Sequence, residues 1–188
     1  MTMSSARRQR ADAQRNRERL MAAADDAFSC DGVGASLEKI AKAAGVAIGT
    51  VYSHFPTRED LLAHLIAERM TRLAHLGQRL LERADPVAAL FQWLEVFGAD
   101  AAIYQGLPDS VIRTLHDPRS PLFNSCETTR TTCGALLKRA QDTDQVRADI
   151  TAVDVLAMTA ALSGAAAASG HDASHFVAVL TDGLRKRP

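Results

Sequence analysis

The chain has little that would commit it to chemistry. Of its 188 residues nine are aromatic and three are cysteine, its formal net charge is zero, and no apolar run reads as long enough to span a bilayer. Cys30, Cys126 and Cys133 cannot all pair within one chain and show no C-x-x-C spacing, which argues against a zinc module and fits a reducing compartment. Cys126 and Cys133 would share a helix face but stand about 10 Å apart by helical rise, too far for a disulfide; alkylation or pairing between subunits is the use left to such thiols. No G-x-S-x-G, H-E-x-x-H or convincing pair of carboxylates is present, so neither an enzyme nor a cofactor is expected. The glycines of Gly32-Val33-Gly34 lack the third glycine and the preceding strand of a nucleotide loop. His171 and His175 have the spacing of a helical metal pair, but Gly170 and the turn-like HDAS favour a solvated loop and a helix N-cap, so no metal is expected.

Alternating β-branched and aromatic residues are equally scarce, whereas Ala, Leu, Arg, Glu and Gln dominate long windows. The expected fold class is therefore all-α, and 47% hydrophobic content is enough for a real core. The N-terminal stretch MTMSSARRQRADAQRNRER is basic with no apolar segment behind it, so neither a secretory signal nor an anchor is expected. A cytoplasmic protein with no membrane partner is the default expectation.

What is present is concentrated between Ser36 and Leu62. Leu37, Ile40, Ala41 and Ala44 recur at i, i+3, i+4 and i+7 behind Ser36, the pattern of a short amphipathic helix with a serine N-cap. Gly45 then offers a left-handed C-cap and a sharp turn. Val51 and Phe55, four apart, can pack back on that helix, while Gly49, Thr50, Tyr52 and Ser53 point elsewhere and stay small or hydrogen-bond-capable. Pro56 stops this second helix. Thr57-Arg58-Glu59-Asp60 restarts the chain with a capping-box-like pattern ahead of Leu61, Leu62, Leu65 and Ile66. Two short helices about a glycine turn, the second with a free polar face, read as a helix-turn-helix that enters a DNA groove.

The charge pattern qualifies that reading. Residues 1–24 carry six arginines against Asp12 and Glu18, a net charge of +4, whereas residues 25–60 carry a net charge of −3. A reader so charged would draw much of its counterion-release affinity from the arginine arm, with Arg7, Arg8, Arg10 and Arg15 as its DNA contacts; a solvated tail is the competing account.

Residues 15–66, and GVAIGTVYSHFPTREDLL most specifically, resemble the N-terminal DNA-binding domain of the TetR family of transcriptional regulators. The resemblance implies an N-terminal three-helix helix-turn-helix domain joined by a long fourth helix to a helical ligand-binding and dimerisation domain. The expected division is a flexible basic arm over 1–14, the DNA-binding domain over 15–60 and the helical domain over 61–188. It makes Ile48 to Phe55 the recognition helix, with Ile48, Gly49, Thr50 and Ser53 near base edges. Tyr52, His54 and Arg58, together with Ser36 and Thr57, are then phosphate contacts that set register rather than sequence preference. Two positions depart from the family pattern. Ala47 stands where a serine often caps the recognition helix, a loss of about 1 kcal/mol. Ile48 replaces a polar or basic residue, leaving apolar contact with a thymine methyl, or simple packing beside Val51 and Phe55, as its use.

Downstream, periodicity predicts helices from Thr57 to about Ala84, over VAALFQWLEVFGADAAIY, over LPDSVIRTLH, and then over 122–142, 152–169 and 174–186. The resemblance implies a homodimer through the last two helices, with Val155, Met158, Thr159, Leu162, Ala166, Phe176, Val177, Leu180 and Leu184 at the interface. Closing the monomer core is the alternative for these residues. An effector pocket is expected at Phe91, Trp93, Leu94, Phe97, Tyr104, Ile112, His116, Phe123, Cys126, Met158 and Leu162, taking an apolar or amphipathic small molecule, with ordinary core as the alternative for each. The partners implied are double-stranded operator DNA, a second copy of the chain and a small-molecule effector. The function implied is a ligand-responsive repressor released from a pseudo-palindromic operator. An all-α carrier or enzyme is the other class open to the sequence, and the lack of a catalytic constellation counts against it.

Overall fold

The structure, a computed structural model, describes residues 2–103, 106–107, 111, 117 and 120–186, with the side chains of residues 2–11 and of Pro121 outside that description. The described residues are helical, with one isolated antiparallel bridge between Val146 and Arg185 and no named strand. The chain divides into two compact units, Met1–Leu65 and Ile66–Pro188.

The first unit is built by α1 (Thr2–Asp31), a 3-10 turn (Gly32–Gly34), α2 (Leu37–Ala44), α3 (Ile48–His54) and the start of α4 (Arg58–Leu81). The segment expected as a flexible arm over 1–14 is helical from Thr2 and continuous with α1. Leu20, Ala24 and Phe28 lie four apart on α1 and are buried with Ile40 and Ala41 of α2 and with Val51, Phe55, Leu61, Leu62 and Leu65. Helix ends follow local chemistry. Ser36 caps α2 by accepting from the Lys39 amide at 3.3 Å. Gly45 ends α2 at φ +65°, and its amide and that of Val46 close on the last carbonyls of the helix. The Thr57 hydroxyl accepts from the Asp60 amide at 3.0 Å while the Asp60 carboxylate accepts from the Thr57 amide at 3.0 Å, a reciprocal box in which Asp60 takes the role usual for glutamate.

The second unit contains the remainder of α4 with α5 (Pro86–Ile103), α6 (Pro121–Gln141), α7 (Ala152–Ala168) and α8 (Ala173–Leu184). The segment LPDSVIRTLH, with Ile112 and His116, lies outside the described residues apart from Leu107 and Val111, and so does Tyr104. Helix α5 is central, packing on α6, α7 and α8. Against the expectation that no apolar run could span a bilayer, α5 is long and apolar enough by length and composition. Its surroundings are those of a core helix: Ala89, Leu90, Trp93 and Leu94 are fully buried, and Asp100 is paired with Arg69 of α4. The Trp93 indole N–H donates to the Leu73 carbonyl at 3.0 Å, which removes the cost of burying it. Arg139 of α6 donates to the Leu81 carbonyl at 2.5 Å and the Arg83 carbonyl at 3.1 Å, satisfying the last carbonyl of α4 and one just beyond it. A full capping box of Thr151 and Asp154 starts α7, and Asp172 caps α8 by accepting from the Ser174 amide at 2.9 Å. His171 is exposed in the loop before that cap, with its edge toward Phe176.

Candidate nucleic-acid interface

Helix α3 divides cleanly. Val51 and Phe55 are buried, whereas Ile48, Gly49, Tyr52 and Ser53 are exposed, Tyr52 at 48% and Ile48 at 38%. Packing of the first turn therefore does not account for Ile48, whose side chain is presented to solvent. Ala47 holds an extended conformation (φ −70°, ψ 147°) suited to an N-cap but supplies no side-chain bond, so the first amides of α3 lack that partner. A Cβ added at Gly49 would meet nothing within 4 Å. The fold thus does not require glycine there, although glycine within a helix costs about 1 kcal/mol relative to alanine.

The hydrogen bonds set what the polar groups can offer. Ser53 Oγ donates to the Thr50 carbonyl at 2.7 Å, which spends its proton and leaves its lone pairs free to accept. Ser36 Oγ donates to Glu38 Oε2 at 2.7 Å while capping α2, so both of its hydroxyl roles are occupied, and the bond from Ser36 holds the Glu38 carboxyl below its usual range. Arg58 is half-buried and spends one guanidinium donor on the Val33 carbonyl at 3.1 Å, tying the start of α4 to the turn after α1. His54 is half-buried, with its ring tilted against Phe55 at 6.4 Å, and Thr57 is exposed within its capping box. On α1, Arg15 is exposed and paired with Asp12, whereas the Arg17 guanidinium stacks over the Phe55 ring at 5.6 Å. The side chains of Arg7, Arg8 and Arg10 lie outside the described residues. Sequence reasoning missed the inward roles of Arg17 and Arg58, because a charge count does not say which arginines turn toward the protein.

The second unit separates residues that the sequence had grouped. Of the expected interface residues, Val155, Thr159, Ala166, Val177 and Leu184 are buried within the protomer's own core and have no surface to give a partner. Met158 is 37% exposed, and Leu162, Phe176 and Leu180 are half-buried. Exposed Val153, Ala157, Ala161 and Ala165 on α7 and Val179 on α8 were not anticipated. An open groove of about 660 Å³ runs between α7 and α8, with Met158, Val179 and Leu180 in its wall and Arg147, Asp149 and Asp154 on its rim. Of the expected pocket residues, Trp93 and Leu94 are fully buried core, and the Trp93 N–H is already spent on Leu73, so neither offers a free contact. Phe91, Phe97, Phe123 and Cys126 are half-buried; Phe97 stacks on Trp93 at 5.7 Å, and Phe91 lies under the Arg185 guanidinium. Cys133 is fully buried and burial pushes its thiol up to about 12, so it is not a reactive thiol; burial also raises Cys126.

Comparison with known proteins agrees with this architecture. Residues 20–65 match the bacterial regulatory proteins of the tetR family, and residues 85–186 match the C-terminal domain of SbtR-like transcriptional regulators. A TetR transcriptional regulator from Streptomyces coelicolor is 30% identical, with 92% of this chain and 99% of that chain covered at a TM-score of 0.68. A TetR regulatory protein from Mycobacterium vanbaalenii is 32% identical, with 95% and 99% covered at 0.66. The fold is also that of the regulator FadR from Bacillus subtilis, solved in complex with stearoyl-CoA, at 17% identity, 89% and 96% coverage and a TM-score of 0.61. No curated protein sequence matches the chain. With both its helix-turn-helix and its C-terminal region matched, this chain belongs to the TetR family of DNA-binding transcriptional regulators.

Proposed function

We propose that the protein is a homodimeric repressor that leaves a pseudo-palindromic operator when a small apolar or amphipathic effector binds. The observation that carries the reading is the free face of α3, where Ile48, Gly49, Tyr52 and Ser53 are exposed while Val51 and Phe55 hold the helix in place. On that face Ile48 offers apolar contact to a thymine methyl, and Gly49 lets the backbone approach the groove. Ser53, with its proton spent on Thr50, accepts from a base amino group, and Thr50 stands beside it. Tyr52 and His54 take phosphate contacts, with the remaining donors of Arg58 at the start of α4; the hydroxyl protons of Ser36 and Thr57 are spent on Glu38 and Asp60, so these two do not serve as phosphate donors. Arg7, Arg8, Arg10 and Arg15 of α1 supply counterion-release affinity.

In this reading residues 1–14 add charge, 15–60 read DNA, and 61–188 dimerise and bind the effector. Dimerisation uses the exposed stripe of Val153, Ala157, Met158, Ala161 and Ala165 with Val179 and half-buried Leu180, where the three alanines suit close helix approach and the larger side chains supply apolar area. The two-fold then sets the reading heads one DNA turn, about 34–36 Å, apart. The effector lies against Phe97, Phe123 and Cys126. Because α4 runs unbroken from Arg58 to Leu81, occupancy in the second unit biases the DNA-competent arrangement as a population shift. Gel shifts with the DNA upstream of the protein's own coding region test the reading. Tyr52→Ala is expected to weaken binding roughly tenfold, consistent with one charge-assisted hydrogen bond to phosphate. Binding unchanged by Tyr52→Ala, or no binding at low salt, overturns it.

A further inference from the structure

The first unit holds three exposed cations that no carboxylate answers. Lys39 and Lys42 lie on the exposed side of α2, and Arg19 is exposed on α1. Among the described residues none of the three has an ion pair; Arg19 donates to Asn16 Oδ1 at 2.5 Å and keeps its other donors free. The acids nearest in sequence are engaged elsewhere. Asp12 pairs with Arg15, Glu18 accepts from Gln14 Nε2 at 2.8 Å, and Glu38, one turn before Lys42, accepts from Ser36 instead. The three cations also lie in a row. Lys39 and Lys42 are one turn apart on α2, Gly45 follows at the end of that helix, and a Cβ on Gly45 would stand 3.6 Å from Arg19 Nη1. The row therefore ends at the turn whose next exposed residues, Ala47, Ile48 and Gly49, open the free face of α3.

Helix stability does not account for this row. Lys42 suits the C-terminal end of α2, but Lys39 stands in the first turn, against the helix dipole, and a second cation one turn along adds repulsion. An anion outside the protein does account for it. When the second helix of a helix-turn-helix enters the major groove, the first crosses the phosphate backbone. We propose that Lys39, Lys42 and Arg19 form a track that grips the phosphate strand crossed by α2, in addition to the contacts made by α3 and the start of α4. The track carries no sequence information; it fixes register and releases counterions. It lets a segment of net charge −3 over residues 25–60 hold DNA without relying on the N-terminal arginines alone. The proposal rests on DNA entry by α3 and is independent of the dimer and of the effector.

The full-length protein is titrated over a range of salt with the duplex upstream of its own coding region and with an unrelated duplex of equal length. Each of Lys39→Gln, Lys42→Gln and Arg19→Gln is expected to flatten the slope of log affinity against log salt by about 0.9 per reading head, and the triple variant by about 2.7. Both duplexes weaken alike, so the ratio of their affinities stays at the wild-type value. Helicity by circular dichroism is retained, since all three side chains are exposed. Lys138→Gln makes the same change of charge on α6, where Lys138 pairs with Asp142, and keeps the wild-type slope. A Lys138→Gln slope as flat as those of the three single variants overturns the track, because net charge alone would then explain them. Binding by the triple variant with an unchanged slope overturns the track and leaves the reading of α3 standing. No binding by the wild-type protein to either duplex at low salt overturns both.

Discussion

Helices α3 and α7 make opposite uses of their surfaces. In α3 the side chains that pack and those left free differ in kind, with Ile48 the exception: Val51, with Phe55 just past the helix end, faces inward, and glycine, threonine, tyrosine and serine face away beside Ile48. In α7 both faces are apolar or small. Val155, Thr159, Ser163 and Ala166 form the buried stripe, and Ala157, Met158, Ala161 and Ala165 form the exposed one. A helix of the first kind announces its function, because only one of its faces can be the core. A helix of the second kind hides it, since hydrophobicity is nearly constant around the axis and burial is decided by neighbouring helices.

The contrast can be tested where core and function should be least separable. Trp93→Ala removes the largest fully buried side chain of the second unit and its bond to Leu73, so a loss of about 3–5 kcal/mol in denaturant unfolding is expected. A loss below that of an ordinary surface change would mean that α5 is not the centre of the unit. Next in size is the exposed stripe. Met158→Glu combined with Val179→Glu places two charges where the proposed interface must dry out, and each carries a desolvation penalty of several kcal/mol, on the order of that for other buried ions. Monomer by sedimentation with unchanged helicity is expected, and an intact dimer would move the interface elsewhere.

Two smaller changes sharpen the comparison. Gly49→Ala fills open space on a helix, so the first unit should gain about 0.5–1 kcal/mol in thermal unfolding while operator affinity falls. Opposite signs are the signature of a residue chosen for DNA; a gain in both stability and affinity would remove Gly49 from the reading face. In the second unit, the buried Ser163 hydroxyl has no hydrogen-bond partner among the described residues and lies 2.7 Å from where a Cβ on Gly98 would sit. Ser163→Ala relieves an unmet desolvation cost and is expected to stabilise the protein by about 1 kcal/mol. Destabilisation in a melt would show that the hydroxyl is satisfied after all.

Much of the first unit was legible because its signals are local. Ser36 as N-cap, Gly45 as a left-handed stop, and Thr57 with Asp60 as a reciprocal box each depend on residues within four positions of one another. The inward turn of Arg17 to Phe55 and of Arg58 to Val33 was not legible, because those contacts span 38 and 25 residues of chain. In the second unit the described helices stand close to their predicted spans, yet the assignment of Val155, Thr159, Ala166, Val177 and Leu184 to a partner surface fails, since they pack on their own protomer. The helical continuation of α1 back to Thr2 was also missed, because a run of arginines reads equally well as a tail or as a solvated helix.

The sequence by itself determined the fold class and the helix-turn-helix, because helix periodicity, caps and turn glycines act over one or two turns of chain; the family came from the resemblance of residues 15–66. Only the tertiary structure decided which side of each uniformly apolar helix is core, which arginines are spent inside the protein, and that Arg69 meets Asp100. Those outcomes depend on contacts between segments tens of residues apart, and local pattern carries no record of which neighbour a side chain will meet.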